Sequence, residues 1–172
     1  MDTFLAIASR REVRDYAERA IPAEVQRRIL EAGRVAGSSR NGQPWRFVAT
    51  DDRGRLDALA ETVFAPTNLS GCSLAIAVAL PADARPTASF DAGRAAQNIM
   101  LAAWSEGVGS CPNGMTDRER AAATLELADG LVPTILISLG YPARPRDPAG
   151  RSAQEWIERA NRLAYEEVVR RL

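Results

Sequence analysis

The chain has 172 residues, 46% hydrophobic and 26% charged, with 22 basic against 22 acidic side chains and a formal net charge of zero. That balance suits one soluble domain over residues 1–172, able to bury about two thirds of the surface its unfolded form exposes. Every basic residue is Arg, and the absence of Lys and His excludes, within this chain, a Ser-His-Asp triad, a Cys-His pair, a histidine metal ligand and a Schiff-base lysine. With only Asp, Glu, Tyr, Cys and hydroxyls left for acid–base work, an enzyme of this composition points to a cofactor as its reactive group.

In chain order, Phe4, Leu5 and Ile7 give a first helix over about 3–9, ending in the cluster "RREVRDY". Pro22 suits the first turn of a second helix, whose Val25, Ile29, Leu30 and Ala32 follow helical spacing to about Ala36, where Gly37 stops it. The polar loop "GSSRNGQP" leads into a strand at "WRFVATD". Asp51 or Asp52 then caps a helix carrying Leu56, Leu59, Ala60 and Val63. "CSLAIAVAL", residues 72–80, is bounded by Gly71 and Pro81 and reads as a strand buried on both faces. A long apolar helix from Phe90 to about Glu106 points to the centre of the molecule, and "GVGSCPNGMTDRE" reads as a glycine-rich turn in which Thr116 and Glu119 form a capping box. "VPTILISLGY" is a third strand. A last helix from Ser152 to about Arg171 would place Trp156, Ile157, Ala160, Leu163, Ala164 and Val168 on one packed face.

Cys72 and Cys111 lack CxxC spacing, so they read as buried free thiols and support neither a zinc site nor any other metal site. The charges at the N-terminus follow its short apolar patch, and no apolar run reaches membrane-spanning length. A cytoplasmic location without a membrane partner is the expectation. Zero net charge, no basic run and few aromatics argue against a nucleic-acid partner. No GxGxxG, no GxxxxGK[ST] and no internal repeat is present.

Three features bear on the chemistry. Arg10, Arg11 and Arg14 crowd five positions, and the guanidinium fork suits a phosphate; the same cluster is also what a solvated face looks like. Arg144, Arg146 and Arg151 form a weaker group in a Pro- and Arg-rich segment. Residues 37–45, "GSSRNGQPW", offer hydroxyl, amide and backbone donors that match the polar edge of a neutral heterocycle or a ribityl chain better than a metal. The plainer alternative is that Ser38 caps a turn and Asn41-Gly42 is a tight turn.

The succession "SRREVRDY", "IPAEVQRRILEAGRVAGSSRNGQPWRFV", "FDAGRAAQNIMLAAWSEGVGSCPNG" and "ILISLGYPARP" resembles the FMN-dependent nitroreductase family over nearly the whole chain. The resemblance implies an α+β fold with a central mixed or antiparallel sheet flanked by helices, and a homodimer with FMN at the subunit interface. It implies that Arg10 binds the FMN phosphate with Arg11 beside it, and that Arg14 approaches the N1 and O2 edge of the isoalloxazine. Ser38, Ser39, Asn41 and Gln43 would come from the opposite subunit to the phosphate, ribityl and ring edge. Pro112, Asn113 and Gly114 would lie over the central ring, Arg151 would return to the phosphate, and Asn68 would meet the ring's O4 and N3 edge. Glu12 stands in the phosphate-binding segment where the family often has Ser, so it must point away or pair with an Arg. Gly37 stands where Pro is common. The segment 81–89 is short beside larger members, leaving a more open or differently walled substrate pocket. The implied activity is ping-pong hydride transfer from NADH or NADPH to a small acceptor such as a nitroaromatic, quinone or enone, with no side chain acting as acid or base. A flavin-binding protein that stores or degrades the cofactor without reducing a substrate is the alternative.

Overall fold

The apolar run at 72–80 becomes the second strand of a four-stranded sheet, and its two faces differ in a way that organises everything around it. In a computed structural model describing all 172 residues, the strands are β1 (Arg46–Thr50), β2 (Leu74–Pro81), β3 (Gly109–Asn113) and β4 (Leu131–Gly140), in the spatial order β1-β2-β4-β3 with every neighbouring pair antiparallel. Side chains alternate across a strand. Leu74, Ile76, Val78 and Leu80 therefore enter one core with α2 (Ala23–Arg34) and α5 (Ala88–Ser105), while Ala75 and Ala77 enter a second. That second core contains Leu56 and Leu59 of α3 (Arg53–Ala60), Leu69 of α4 (Thr67–Ser70) and Ala121 of α6 (Arg118–Thr124). Both faces are covered, which explains why β2 reads as a continuous apolar run.

Two compact units result: Arg11–Pro145, which holds the sheet, and a smaller one made of Met1–Arg10 with Arg146–Leu172. In the smaller unit α1 (Thr3–Ser9) is capped by the Asp2 carboxylate, which accepts from Phe4 and Leu5 N–H. α7 (Ala153–Glu158) opens on a capping box between Ser152 and Glu155. Trp156 donates its indole N–H to the Pro148 carbonyl at 2.9 Å.

Three expectations are corrected. The segment expected as a glycine-rich turn contains β3, because Gly109–Asn113 pairs residue for residue with Gly140–Leu136; Gly, Ser, Pro and Asn carry weak strand propensity, and the ladder to β4 overrides it. The cap of α6 is Asp117, which accepts the Arg120 N–H at 2.9 Å, rather than Thr116. The long C-terminal helix stops at Glu158 and only a single turn, α8 (Tyr165–Val168), follows. Asn161 adopts φ 49°, a left-handed conformation no continuing helix accepts, and Leu163 and Val168 are exposed instead of packed. The long helix α5 is also one-sided: Ala92, Ala95, Ala96, Ile99 and Ala103 are buried, but Phe90 stands 70% exposed.

Candidate functional site

Within the Arg11–Pro145 unit, the Arg-rich segment runs beside β3. Glu12 makes a parallel bridge to Ser110 and Val13 donates its N–H to the Ser110 carbonyl at 3.1 Å. The segment thus acts as a short fifth rail on the outer edge of β3. Extended backbone sends alternate side chains to opposite sides: Val13 is buried and Arg14 exposed, while Arg11 and Glu12 are half-buried. Val13 lies directly on Gly109, where an added Cβ would sit 2.6 Å from Val13 Cβ. Close approach at this glycine is what brings Arg11, Glu12 and Arg14 to the strand that ends in Pro112 and Asn113, with Gly114 just beyond.

Asn68 and Asn113 meet there, but with each other. Asn68 Nδ2 donates to Asn113 Oδ1 at 2.9 Å, and Asn113 Nδ2 donates to the Cys111 carbonyl at 2.9 Å, Ser138 Oγ at 3.2 Å and the Leu136 carbonyl at 3.3 Å. Both side chains are 7% exposed. Tyr16 continues the network: its hydroxyl donates to the Val13 carbonyl at 2.6 Å and lies 3.0 Å from Ser138 Oγ. Burial holds the Tyr16 phenol well above its usual range, with the Ser138 hydrogen bond opposing. Tyr16 is therefore a neutral strut, and so are the two amides. What this edge offers to a ligand is the exposed Arg14, the Pro112–Gly114 backbone and Phe64. Phe64 donates its N–H to the Gly114 carbonyl at 3.1 Å and is 77% exposed, its ring 3.1 Å from where a Gly114 Cβ would stand. A side-chain-free backbone beside an exposed aromatic ring makes a wall suited to a flat heterocycle.

The loop before β1 forms the second cluster. Ser39–Asn41 make one 3₁₀ turn that the Ser38 side chain does not cap; Ser38 Oγ instead accepts the Gln43 N–H at 2.9 Å, tying the end of the loop to its start. Gly42, which lends the sequence its turn signature, has φ −71°. The left-handed positions are instead Arg40 (54°), Asn41 (53°) and Gln43 (44°). Three such non-glycine residues among four are rare and costly, and strain of this kind gathers at binding sites. A cleft of about 280 Å³ opens beside the loop, lined by Gln43, Arg46, Arg85 and the buried Asp91 among others.

The two clusters sit on opposite edges of the sheet: Ser38–Gln43 leads into β1, whereas Pro112–Gly114 closes β3. β2 and β4 intervene, so three strand spacings, about 14 Å, separate the edge strands. Both face the same end, since Arg46 pairs with Ala79, Ala79 with Pro133, and Asn113 with Leu136. One chain does not bring them into contact. Arg10 and Arg151 belong to the smaller unit, where Arg10 caps α1 and the Arg151 guanidinium lies 5.1 Å over the Trp156 ring. Sequence reasoning missed Asp91, Phe64 and the Ser138–Tyr16 support. Only "FDAG" at the head of an apolar helix, an acid where a core face begins, signalled the first.

Comparison with known proteins settles the family. The Nitroreductase family profile matches residues 7–70 and 68–141. The chain belongs to the Nitroreductase family. An Archaeoglobus fulgidus relative, provisionally named NADH dehydrogenase/NAD(P)H nitroreductase, is 33% identical over 153 residues, spanning 82% of this chain and 86% of that one. A Bacteroides thetaiotaomicron crystal structure under the same provisional name shares 30% identity and superposes with a TM-score of 0.77 over 86% of this chain and 92% of the other. An FMN-dependent nitroreductase of Clostridium difficile, 24% identical, shares the fold with a TM-score of 0.76 over 90% of this chain and 96% of that one. Membership fits the antiparallel sheet flanked by helices. No helix is long and apolar enough to cross a membrane.

Proposed function

We propose that this nitroreductase-family chain is an FMN-dependent oxidoreductase that works as a homodimer, taking hydride from NADH or NADPH and delivering electrons to a small acceptor such as a nitroaromatic, quinone or enone. The observation that carries the reading is the division of the donor set between two sheet edges. Cations and open backbone stand at β3, hydroxyls and amides at the strained loop before β1. A ligand needing both sets takes them from two copies. Exposed Phe90 on α5, with nothing within 4 Å of a Cβ at Gly93 and Arg94 over the phenyl ring, gives a second copy an aromatic side chain to cover.

Bound FMN would supply hydride chemistry that none of these side chains performs. The chain's own task is to hold and orient. Arg10, Arg11 and Arg151 would hold the phosphate, and Arg14 would set positive charge beside the N1 and O2 edge, favouring the reduced form. Pro112, Asn113 and Gly114 would present backbone to the ring, and Ser38, Ser39, Asn41 and Gln43 would come from the other copy. Asn68 would act one step back, fixing Asn113. Glu12 keeps its backbone on Ser110, so its place in the Arg segment is set by the strand edge. A cytoplasmic location goes with this reading.

The test is direct. Purified protein is expected to be yellow, to release FMN on denaturation and to oxidise NADH or NADPH with a quinone or nitroaromatic, and Asn41→Ala or Ser39→Ala is expected to weaken FMN retention without unfolding the chain. A colourless protein that ignores added FMN overturns the proposal. Tight FMN binding without oxidation of either nicotinamide would assign the chain to flavin storage or breakdown.

A further inference from the structure

The strained loop needs a reason to stay strained. Its internal hydrogen bonds are all short in sequence: Asn41 N–H to the Ser38 carbonyl at 3.1 Å, Gly42 N–H to the Ser39 carbonyl at 3.0 Å, Gln43 N–H to Ser38 Oγ at 2.9 Å and Gln43 Nε2 to the Asn41 carbonyl at 3.4 Å. Local bonds of this kind survive in several loop shapes. One bond reaches across 52 residues: the Ser39 N–H donates to the Asp91 carboxylate, 3.0 Å from Oδ2 and 3.2 Å from Oδ1. Asp91 lies in the first turn of α5 and is 3% exposed. A buried carboxylate is retained only where it is paired or hydrogen-bonded, and here its partners are that amide and the Arg94 guanidinium at 4.0 Å.

Arginines bracket the same anchor. A Cβ at Gly37 would lie 2.4 Å from Arg94 Nη2, and one at Gly42 would lie 2.6 Å from Arg85 Nη2. Guanidinium groups therefore occupy the space beside the glycines at both ends while Asp91 holds the loop in the middle. Because the Ser39 amide is engaged below and Gln43 Nε2 donates to the Asn41 carbonyl at 3.4 Å, the Ser39 hydroxyl and the Asn41 side-chain amide are the foremost donors left to meet a ligand.

We propose that Asp91 is a positioning residue that locks the Ser38–Gln43 loop, with its left-handed Arg40, Asn41 and Gln43, into the shape that binds flavin. The proposal rests on the FMN reading for its ligand, but the anchoring itself is testable without it. Asp91 touches no ligand; it acts through Ser39. Losing a charged acceptor leaves the Ser39 amide unheld, and the loop relaxes towards ordinary φ values.

The experiment compares wild type, Asp91→Asn and Asp91→Ala in two measurements. FMN titration by fluorescence quenching is expected to show about 10- to 100-fold weaker binding for Asp91→Ala, the range for a hydrogen bond to a charged group. Asp91→Asn keeps one acceptor and is expected to recover most of that loss. Hydrogen exchange on the flavin-free proteins is expected to show faster exchange confined to residues 38–43 in Asp91→Ala, with β2 and β4 protected as in wild type. Should Asp91→Ala fail to fold, faster exchange of the Ser39 amide in Asp91→Asn supports the anchor in its place. Wild-type exchange across the loop in Asp91→Ala, or of the Ser39 amide in Asp91→Asn where the alanine variant does not fold, overturns the proposal, as does wild-type FMN affinity in Asp91→Ala. If wild type itself does not bind FMN, the flavin reading falls and the exchange result alone judges the anchor.

Discussion

Asn113→Ala removes the centre of the buried amide network beneath the candidate ring-binding backbone, and its cost can be worked from the bonds it breaks. One group loses its main partner, Asn68 Nδ2, 2.9 Å from Asn113 Oδ1; the Cys111 carbonyl loses Asn113 Nδ2 at 2.9 Å but keeps the Ser138 hydroxyl at 3.3 Å. Ser138 Oγ keeps Tyr16 at 3.0 Å and is not orphaned. A buried group left unsatisfied costs about 1–3 kcal/mol, or a melting temperature lower by about 2–12 °C for a chain of this size. Asn68→Ala alone orphans one acceptor and is expected to cost about 1–3 kcal/mol. In the double variant the Asn68–Asn113 penalty no longer appears twice, so its cost is expected to fall short of the sum by about 1–2 kcal/mol. Urea denaturation of the flavin-free proteins, followed by circular dichroism, measures all four corners of the cycle. A cost for Asn113→Ala below about 0.5 kcal/mol, or strict additivity, would refute the claim that these amides are struts facing each other.

Three further outcomes are expected. Gly109→Ala puts a methyl group 2.6 Å from Val13 Cβ and is expected to cost about 1–3 kcal/mol by overpacking, with Val13→Gly, which removes that carbon, making the added methyl less costly than it is beside Val13 in a thermal-melt cycle; an unchanged cost would place the strain elsewhere. Glu106 is held below the usual carboxylate range by its hydrogen bonds to Arg28, both at 2.8 Å. The pair's contribution is therefore present above the ordinary Glu value of about 4.3 and lost as pH falls through the lowered one, and Arg28→Gln should flatten the acid limb of stability against pH. Burial pushes the Cys72 thiol up, so it stays protonated in the fold while the unfolded chain ionises above about pH 8.5. Stability is then lost as pH rises past that value, Cys72→Ala should reduce the slope, and the thiol should resist a disulfide reagent at pH 8 until the protein is unfolded in urea.

Helices with a clear apolar period and a capping residue were legible from the residues alone. The first helix runs over residues 3–9 as expected, Asp52 caps the helix carrying Leu56 and Leu59, and β2 occupies the apolar run between Gly71 and Pro81. Such features depend on neighbours within a few residues, and local sequence is enough to encode them. β3 was not legible, because its stability comes from Leu136–Gly140 rather than from its own Gly, Ser, Pro and Asn. The C-terminal helix was overread because apolar spacing continues past Asn161, where the backbone turns left-handed.

The sequence by itself determined the chemistry on offer: no His or Lys, three clustered Arg, a donor-rich loop, and the succession of motifs that marks the Nitroreductase family. Those are matters of composition and order, fixed before folding. Tertiary structure alone decided how the residues are used. It turned Asn68 and Asn113 towards each other, set Phe64 against Gly114, and put the strained loop and the β3 edge three strands apart at one end of the sheet. It also buried Asp91 under Ser39, across 52 residues of chain. Which donors reach a ligand depends on contacts between distant segments, and no local pattern records the partner that a buried polar group will find.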